Sequence, residues 1–279
     1  MADIVQIPLL RDNYAYLVVE GQDAFVVDPA EAAPVLERVA ALGVSLRAVV
    51  CTHHHPDHVG GNREIRAATR CEVIGPAHDA ERIPGLTRGV EVGSSFELAG
   101  VTLRVLDVHA HTRGHVAYAL DRPVARVVRH GRAGSEVAVD RLAGRPALFV
   151  GDTLFLGGCG RLFEGTPADL ADALRRLKEE PEGALVCCGH EYTRSNLRFA
   201  EHAMPGADAV RARLAALDEE MGEAKSSVPD VLERELATNP FLVCLDDGRR
   251  AEIAARFDVE EADDPVAVLG ALRRAKDSF

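Results

Sequence analysis

The sequence predicts an α/β fold followed by a small all-helical region. Three observations lead there. β-prone runs alternate with amphipathic helical spacing in the first part of the chain; four of those runs lead into histidine or aspartate; and from Tyr192 onward helical spacing dominates. With 279 residues, 47% of them hydrophobic, the chain is long enough to bury a full core in two units. The expected units are residues 1–185 and 186–279.

Residues 4–10, 14–20 and 24–28 read as strands, and residues 31–42 carry the 3.6-residue spacing of a helix ended by Gly43. Residues 46–52 are a β-branched, apolar strand that runs directly into Thr52-His53-His54-His55-Pro56-Asp57-His58, with Gly60-Gly61 letting the backbone turn closely behind. Residues 102–108, 147–150 and 184–188 repeat the device. They lead into His111-Thr112-Arg113-Gly114-His115, Gly151-Asp152-Thr153 and Gly189-His190-Glu191. Thr166-Pro167 is an N-cap and first-turn pair for a helix to about residue 180, stopped by Pro181-Glu182-Gly183. Helical spacing then continues through Leu197 to Ala203, Val210 to Met221, residues 228–236 and residues 265–276.

One stretch, residues 121–145, reads as an added hairpin. Residues 124–128 and 137–142 alternate around the turn sequence His130-Gly131-Arg132-Ala133-Gly134-Ser135. The plain expectation is a surface elaboration; the other is that Arg126, Arg129, Arg132, Arg141 and Arg145 line a subunit contact or steer an anion.

Four histidines and a carboxylate within seven positions are not what hydrophobic packing selects, because hydrated groups resist burial side by side. Metal binding explains them. In extended chain His53 and His55 point the same way, while Asp57 and His58 can turn toward a second ion. His111, Asp152 and His190 are the candidates to complete two sites. Imidazole with carboxylate favours zinc, iron or manganese over calcium or magnesium. His54, His78, His109, His130 and His202 carry no such pattern, and His115 is expected to support a ligand rather than be one.

A net charge of −12 argues against nonspecific nucleic-acid binding and requires any anion site to be a local basic pocket. No apolar run approaches the ~20 residues that span a bilayer, and the first residues lack a basic segment followed by an apolar one, so the reading is cytoplasmic with no membrane partner. The six cysteines show no framework spacing and are expected to be reduced and mostly packed, Cys159 lying nearest the presumed site.

The ordered set His-x-His-x-Asp-His, His-Thr-x-Gly-His, Gly-Asp-Thr and Cys-Gly-His resembles the metallo-β-lactamase superfamily of binuclear hydrolases. Within it, the chain is similar to the hydroxyacylglutathione hydrolase (glyoxalase II) family. That closer likeness rests on Asp12-Asn13-Tyr14, Gly151 to Phe155, Gly158 to Thr166, Cys188 to Thr193, Asn239-Pro240-Phe241 and Arg273-Arg274-x-Lys276-Asp277, and covers nearly the whole chain. It implies an αββα sandwich followed by a helical substrate domain. It also implies two divalent metals, zinc with iron or manganese as alternatives: His53, His55 and His111 on one, Asp57, His58 and His190 on the other, and Asp152 bridging. Asp57 and Asp152 then hold the ions around a shared hydroxide that attacks a thioester. By the same likeness Arg161, Phe163, Tyr192, Arg273 and Lys276 take the glutathione moiety. Phe163 departs from relatives with tyrosine there and lacks the hydroxyl. The implied reaction converts S-D-lactoylglutathione and water to D-lactate and glutathione. Its alternatives are a persulfide dioxygenase-like iron enzyme and a hydrolase of another thiol ester or a lactone. A monomer is expected, without excluding a homo-oligomer.

Overall fold

The computed structural model describes residues 1–131 and 134–279. In chain order the first part comprises β1 (Asp3–Leu9), β2 (Asn13–Glu20), β3 (Asp23–Val27), α1 (Ala32–Leu42), β4 (Ser45–Val50), α2 (Pro56–Val59), α3 (Asn62–Thr69), β5 (Glu72–Pro76), β6 (Arg88–Val90), β7 (Ser95–Leu98), β8 (Val101–Asp107) and β9 (Val116–Leu120). There follow β10 (Arg126–His130), β11 (Glu136–Ala138), β12 (Ala147–Gly151), β13 (Leu154–Phe155), β14 (Gly158–Cys159), α4 (Pro167–Lys178) and β15 (Leu185–Cys188). The last part is α5 (Thr193–Ala203), α6 (Asp208–Met221), β16 (Asp230–Val231), α7 (Leu232–Thr238), α8 (Pro240–Val243), α9 (Asp247–Arg256) and α10 (Pro265–Ser278).

Two sheets face each other. One runs β11-β10-β1-β2-β3-β4-β5-β6 and the other β16-β15-β12-β9-β8-β7 among the described residues. Period-two alternation sorts their side chains: Tyr14, Tyr16 and Val18 of β2 join the core between the sheets, whereas Ala15 and Leu17 join a second core under α1 and α3. Leu170, Leu174 and Leu177 of α4 cover the second sheet. The layers are therefore α, β, β and α, with the last helices packed onto the final layer.

Strand direction gathers the chemistry. β8 and β12 are both antiparallel to β9, and β15 is parallel to β12, so β8, β12 and β15 all point the same way. Their carboxyl ends release His111, Asp152 and His190 at one edge. In the facing sheet β3 and β4 are parallel, and β4 releases His53 to His58. Two buried tyrosines lock the sheets together there: the Tyr16 hydroxyl donates to the Cys188 carbonyl (2.5 Å) and the Tyr118 hydroxyl to the Cys51 carbonyl (2.9 Å).

Several expectations change. Residues 228–236 are not one helix: Asp230–Val231 pairs with β15, and α7 starts only at Leu232. Pro229 disfavours helical geometry at Val228 and lets the chain enter the sheet extended. The short helices α2, α3, α8 and α9 were not anticipated, because none carries a long apolar stripe. Residues 121–145 do contain a hairpin, β10 with β11, but it is more than a surface elaboration. β10 lies beside β1 in parallel, and Val127, Val128 and Arg129 are buried. Arg132 and Ala133 of its expected turn lie outside the described residues. Arg126 pairs with Asp3, Arg141 with Asp230, and Arg145 donates to the Gly183 carbonyl. All six cysteines are buried and free. Among the described residues no helix is long and apolar enough to cross a membrane.

Asp230 sits where the helical part meets the second sheet, sealed against Arg141 (2.8 Å), Arg234 (2.6 Å) and Arg213 (3.5 Å). Burial alone raises a carboxyl pKa, but Arg213 and Arg234 overrule it and hold Asp230 below its usual range. A folded pKa below the unfolded one gives stability that is present above the unfolded value of about 3.9 and is lost as pH falls through the folded value. Unfolding free energies measured from pH 5 downward are expected to fall more steeply for the parent than for Asp230→Asn; parallel curves would contradict this.

Candidate metal centre

The strand ends bring all seven expected ligands into one cluster. Ligand atoms of His53, His55 and His111 lie within 4.8 Å of one another, as do those of Asp57, His58 and His190. Asp152 faces both groups: Oδ1 is 3.3 Å from His58 Nε2, and Oδ2 is 3.4 Å from His190 Nε2 and 3.6 Å from His111 Nε2. His55 enters as the N-cap of α2, whose single turn, started by Pro56, aims Asp57 and His58 at the second group.

Outer partners fix which nitrogen of each ring faces the centre. His58 Nδ1 is held by Asp28 (3.2 Å), His190 Nδ1 by Asp12 (2.9 Å) and His111 Nδ1 by the Arg161 carbonyl (2.8 Å). The Thr52 hydroxyl donates to Asp28 and so is free to accept from His53 Nδ1 at 3.0 Å. Each contact places a proton on Nδ1 and turns the Nε2 lone pair inward. Asn13 Nδ2 donates to Asp57 Oδ2 and orients that carboxylate. His115 accepts from the Asp152 N–H and stacks on His53, so it supports the cluster without belonging to either triad.

The cluster fits two cations. His53 Nε2, His58 Nε2 and Asp152 Oδ1 are buried without a hydrogen-bond partner, and such orphans are costly unless a charge or ion completes them. Burial and neighbouring histidines push the His53 pKa far down and His55 to about 4, which leaves neutral imidazoles for one ion. Burial opposes protonation of His190 too, but Asp152 and Asp57 overrule it and hold the ring at about 10. A divalent cation there takes the place of that proton. The third nearby triad, Asp28, His53 and His58, is a different case. The Asp28 carboxylate is already occupied by the Thr52 N–H (2.7 Å) and hydroxyl (2.6 Å) and by His58.

Two glycines are required by close approach. A Cβ on Gly160 would lie 1.9 Å from the Asp152 carbonyl oxygen, and one on Gly189 would lie 2.4 Å from Asp152 Oδ1. The motifs around them are thus spacing devices for the Asp152 carboxylate.

Comparison with known proteins agrees with this geometry. The metallo-beta-lactamase superfamily model matches residues 9–190, and the model of the hydroxyacylglutathione hydrolase C-terminus matches residues 191–279. The chain is 43% identical over 281 residues to a protein of Methylococcus capsulatus named hydroxyacylglutathione hydrolase, covering 100% of this chain and 99% of that one. The chain belongs to the hydroxyacylglutathione hydrolase family. A Synechococcus protein of the same name is 43% identical over 98% of each chain. Among solved structures, the B3 metallo-beta-lactamase BLEG-1 shares the fold alone, with a TM-score of 0.60 at 19% identity over 85% of this chain and 98% of that one. Two groups of three His/Asp residues with Asp152 facing both, on this fold, make the centre of this family member a binuclear metal site.

In this hydroxyacylglutathione hydrolase family member a cavity of about 500 Å³ opens from the centre and is lined by Phe155, Cys159, Arg161, Phe163, Tyr192, Asn196, Arg273 and Lys276 as well as by His55, Asp57, His111, Asp152 and His190. All five residues expected to take substrate are on its wall. They differ in freedom. Arg161 is exposed and, among the described residues, its side chain pairs with Asp277 at 3.2 Å. Lys276 is half-buried over the Phe199 and Phe279 rings, its Nζ donating to the Ser195 carbonyl (3.3 Å). Arg273 is buried and engaged: Nη1 donates to the Cys159 carbonyl (2.6 Å), Nη2 to Asp277 (3.2 Å), and its face covers Phe241. Phe163 is 62% exposed, its edge against His55 and His111 at the cavity mouth. Tyr192 stacks on His190 at 4.7 Å.

Sequence reasoning missed Asp28, which orients His58. Its signal was slight, a lone aspartate closing an apolar strand. It also gave Asp12 and Asn13 no role beyond their place in a motif, and Asp79, which holds His54 at 2.8 Å away from the cluster, had no sequence signal at all.

Proposed function

We infer that this chain is a binuclear metal-dependent thioester hydrolase that converts S-2-hydroxyacylglutathione, S-D-lactoylglutathione foremost, and water to the 2-hydroxy acid and glutathione. The observation that carries the reading is one cavity that joins the two ligand groups to a cationic wall in a chain of net charge −12. The two ions, zinc by this imidazole and carboxylate donor set, with iron or manganese as the alternatives, would supply a Lewis acid for the carbonyl and lower the pKa of water toward neutrality.

The chain's own residues do the rest. His53, His55 and His111 would hold one ion and Asp57, His58 and His190 the other, with Asp152, which faces both groups, serving each. Asp12, Asp28, Asn13 and Thr52 keep those side chains aimed without motion at the moment of reaction, which is what preorganisation requires. Arg161 and Lys276 receive carboxylates of the glutathione moiety, the guanidinium as a fork and the ammonium as a point charge. Arg273 shapes the wall by tying down residues 159 and 160, and Tyr192 packs the thiol side of the cavity against His190. No serine or cysteine nucleophile is needed. A persulfide oxygenase with a single iron requires only one triad, whereas two are assembled here.

Purified protein is expected to hold about two metals per chain and to hydrolyse S-D-lactoylglutathione in a chelator-sensitive way, followed by loss of thioester absorbance. Metal-replete protein without hydrolysis would reject the substrate assignment. Lys276→Ala is expected to raise KM about tenfold, the scale of one charge-assisted hydrogen bond, while kcat stays within a factor of about two. A fall in kcat at unchanged KM would contradict its role in binding.

A further inference from the structure

The inserted hairpin reaches the metal centre through a chain of buried contacts. Arg129 of β10 is 2% exposed and forms no ion pair among the described residues. Its guanidinium instead donates to main-chain carbonyls of one segment: Nη1 to Ser226 (2.9 Å) and Glu220 (3.3 Å), Nη2 to Ser227 (2.5 Å) and Pro229 (2.6 Å). Gln6, fully buried on the neighbouring strand β1, grips the same segment through the Val228 carbonyl (2.7 Å) and the Ser226 hydroxyl (3.1 Å).

A buried charge whose hydrogen bonds among the described residues all go to main-chain carbonyls is an expensive way to pack a strand, and an apolar side chain would fill the space at lower cost. What the segment does next explains it. The Ser227 N–H and hydroxyl both donate to the Glu191 carboxylate at 2.8 Å, and the Tyr14 hydroxyl donates to it at 3.3 Å. Glu191 follows His190 directly, and its N–H donates to the Asp12 carbonyl (2.9 Å), the residue whose carboxylate holds His190 Nδ1. The hairpin, the 226–229 segment and Glu191 are thus linked by consecutive hydrogen bonds, and Glu191 is joined to His190 by the peptide bond and through Asp12.

We propose that Arg129 is a positioning residue for the second metal group: by clamping residues 226–229 it fixes Glu191 and, through the adjoining backbone, the ring of His190. The first group, His53, His55 and His111, hangs from other elements and has no part in this chain of contacts. The inference rests on the ligand assignment above and goes beyond it by giving the inserted hairpin a task in the site.

The test titrates metal-free protein with zinc against a competing chelator. The parent is expected to take two equivalents. Arg129→Met should keep the first near parental affinity and weaken the second at least tenfold, with kcat falling and KM nearly unchanged. Arg129→Lys should recover part of the second affinity, and Ser227→Ala should reproduce part of the loss. Val128→Ala, a truncation on the same strand in the core under α1 and α3 rather than in the core that holds Val228, should lower thermal stability without splitting the two equivalents. Where Arg129→Met does not fold, Arg129→Lys and Ser227→Ala decide in the same way. The proposal is overturned if these variants bind both equivalents as the parent does, or if Val128→Ala produces the same split. A parent that binds fewer than two equivalents would instead reject the ligand assignment, and the tether with it.

Discussion

Replacing Asp152 with asparagine is expected to remove one metal equivalent and nearly all hydrolysis. Its carboxylate is the one that faces both ligand groups, with Oδ1 toward His58 and Oδ2 toward His190 and His111. Burial raises the cost of charge there, yet His58 and His190 overrule it and hold Asp152 ionised far below the ordinary carboxyl range. Asparagine keeps the volume and the N–H donated to His115, so the fold should survive while the bridging charge disappears. Only Asp57 then remains to offset two divalent ions. Loss of an outer partner typically costs about 10–100-fold in metal affinity or activity; loss of the bridge should exceed that. Metal content per chain and thioester turnover, measured together, check it. Two retained equivalents with activity close to the parent would rule out Asp152 as the bridge.

Replacing Glu235 with alanine is expected to lower the unfolding free energy by about 3–5 kcal/mol, the range for breaking a buried ion pair. Glu235 is fully buried on α7, 2.6 Å from the Arg213 guanidinium, which is itself sealed from solvent. Its other oxygen accepts from the Gly157 N–H (2.7 Å) and from Asn239 Nδ2 (3.0 Å). The alanine leaves Arg213 short of its nearest carboxylate and Gly157 and Asn239 short of acceptors. Glu235→Gln, which retains an acceptor oxygen, should cost less. Because Gly157 lies in the turn between β13 and β14, Glu235→Ala should also loosen the 158–161 wall of the cavity and raise KM. Denaturant unfolding of the metal-loaded protein, beside steady-state kinetics, reads both effects; a loss below about 1 kcal/mol would show that the pair is dispensable.

The Asn239-Pro240-Phe241 motif gains its reason from the same contacts. Asn239 Nδ2 donates to the carbonyls of Phe155 and Gly158, and its Oδ1 caps α8 through the Phe241 N–H. The motif fastens the helical part to the hairpin beneath the cavity. From sequence it was visible only as a likeness, since nothing local marks an asparagine whose partners lie about 80 positions away.

What the sequence determined by itself was the class of fold and the candidate ligands. Period-two and 3.6-residue spacing are local properties of the chain, and dense His and Asp residues at strand ends announce their chemistry because packing alone would not choose them. What only the tertiary structure decided was which groups act together. Strand directions gather residues 53–58, 111, 152 and 190 at one edge, and carboxylates from loops distant in sequence, Asp12 and Asp28, select the facing nitrogens. Arg273 is spent largely on the wall rather than left free, and Arg129 turns a hairpin that looked peripheral into a buried brace. These outcomes depend on contacts between residues far apart in the chain, whose geometry is set by the packing of both sheets and is absent from any local pattern.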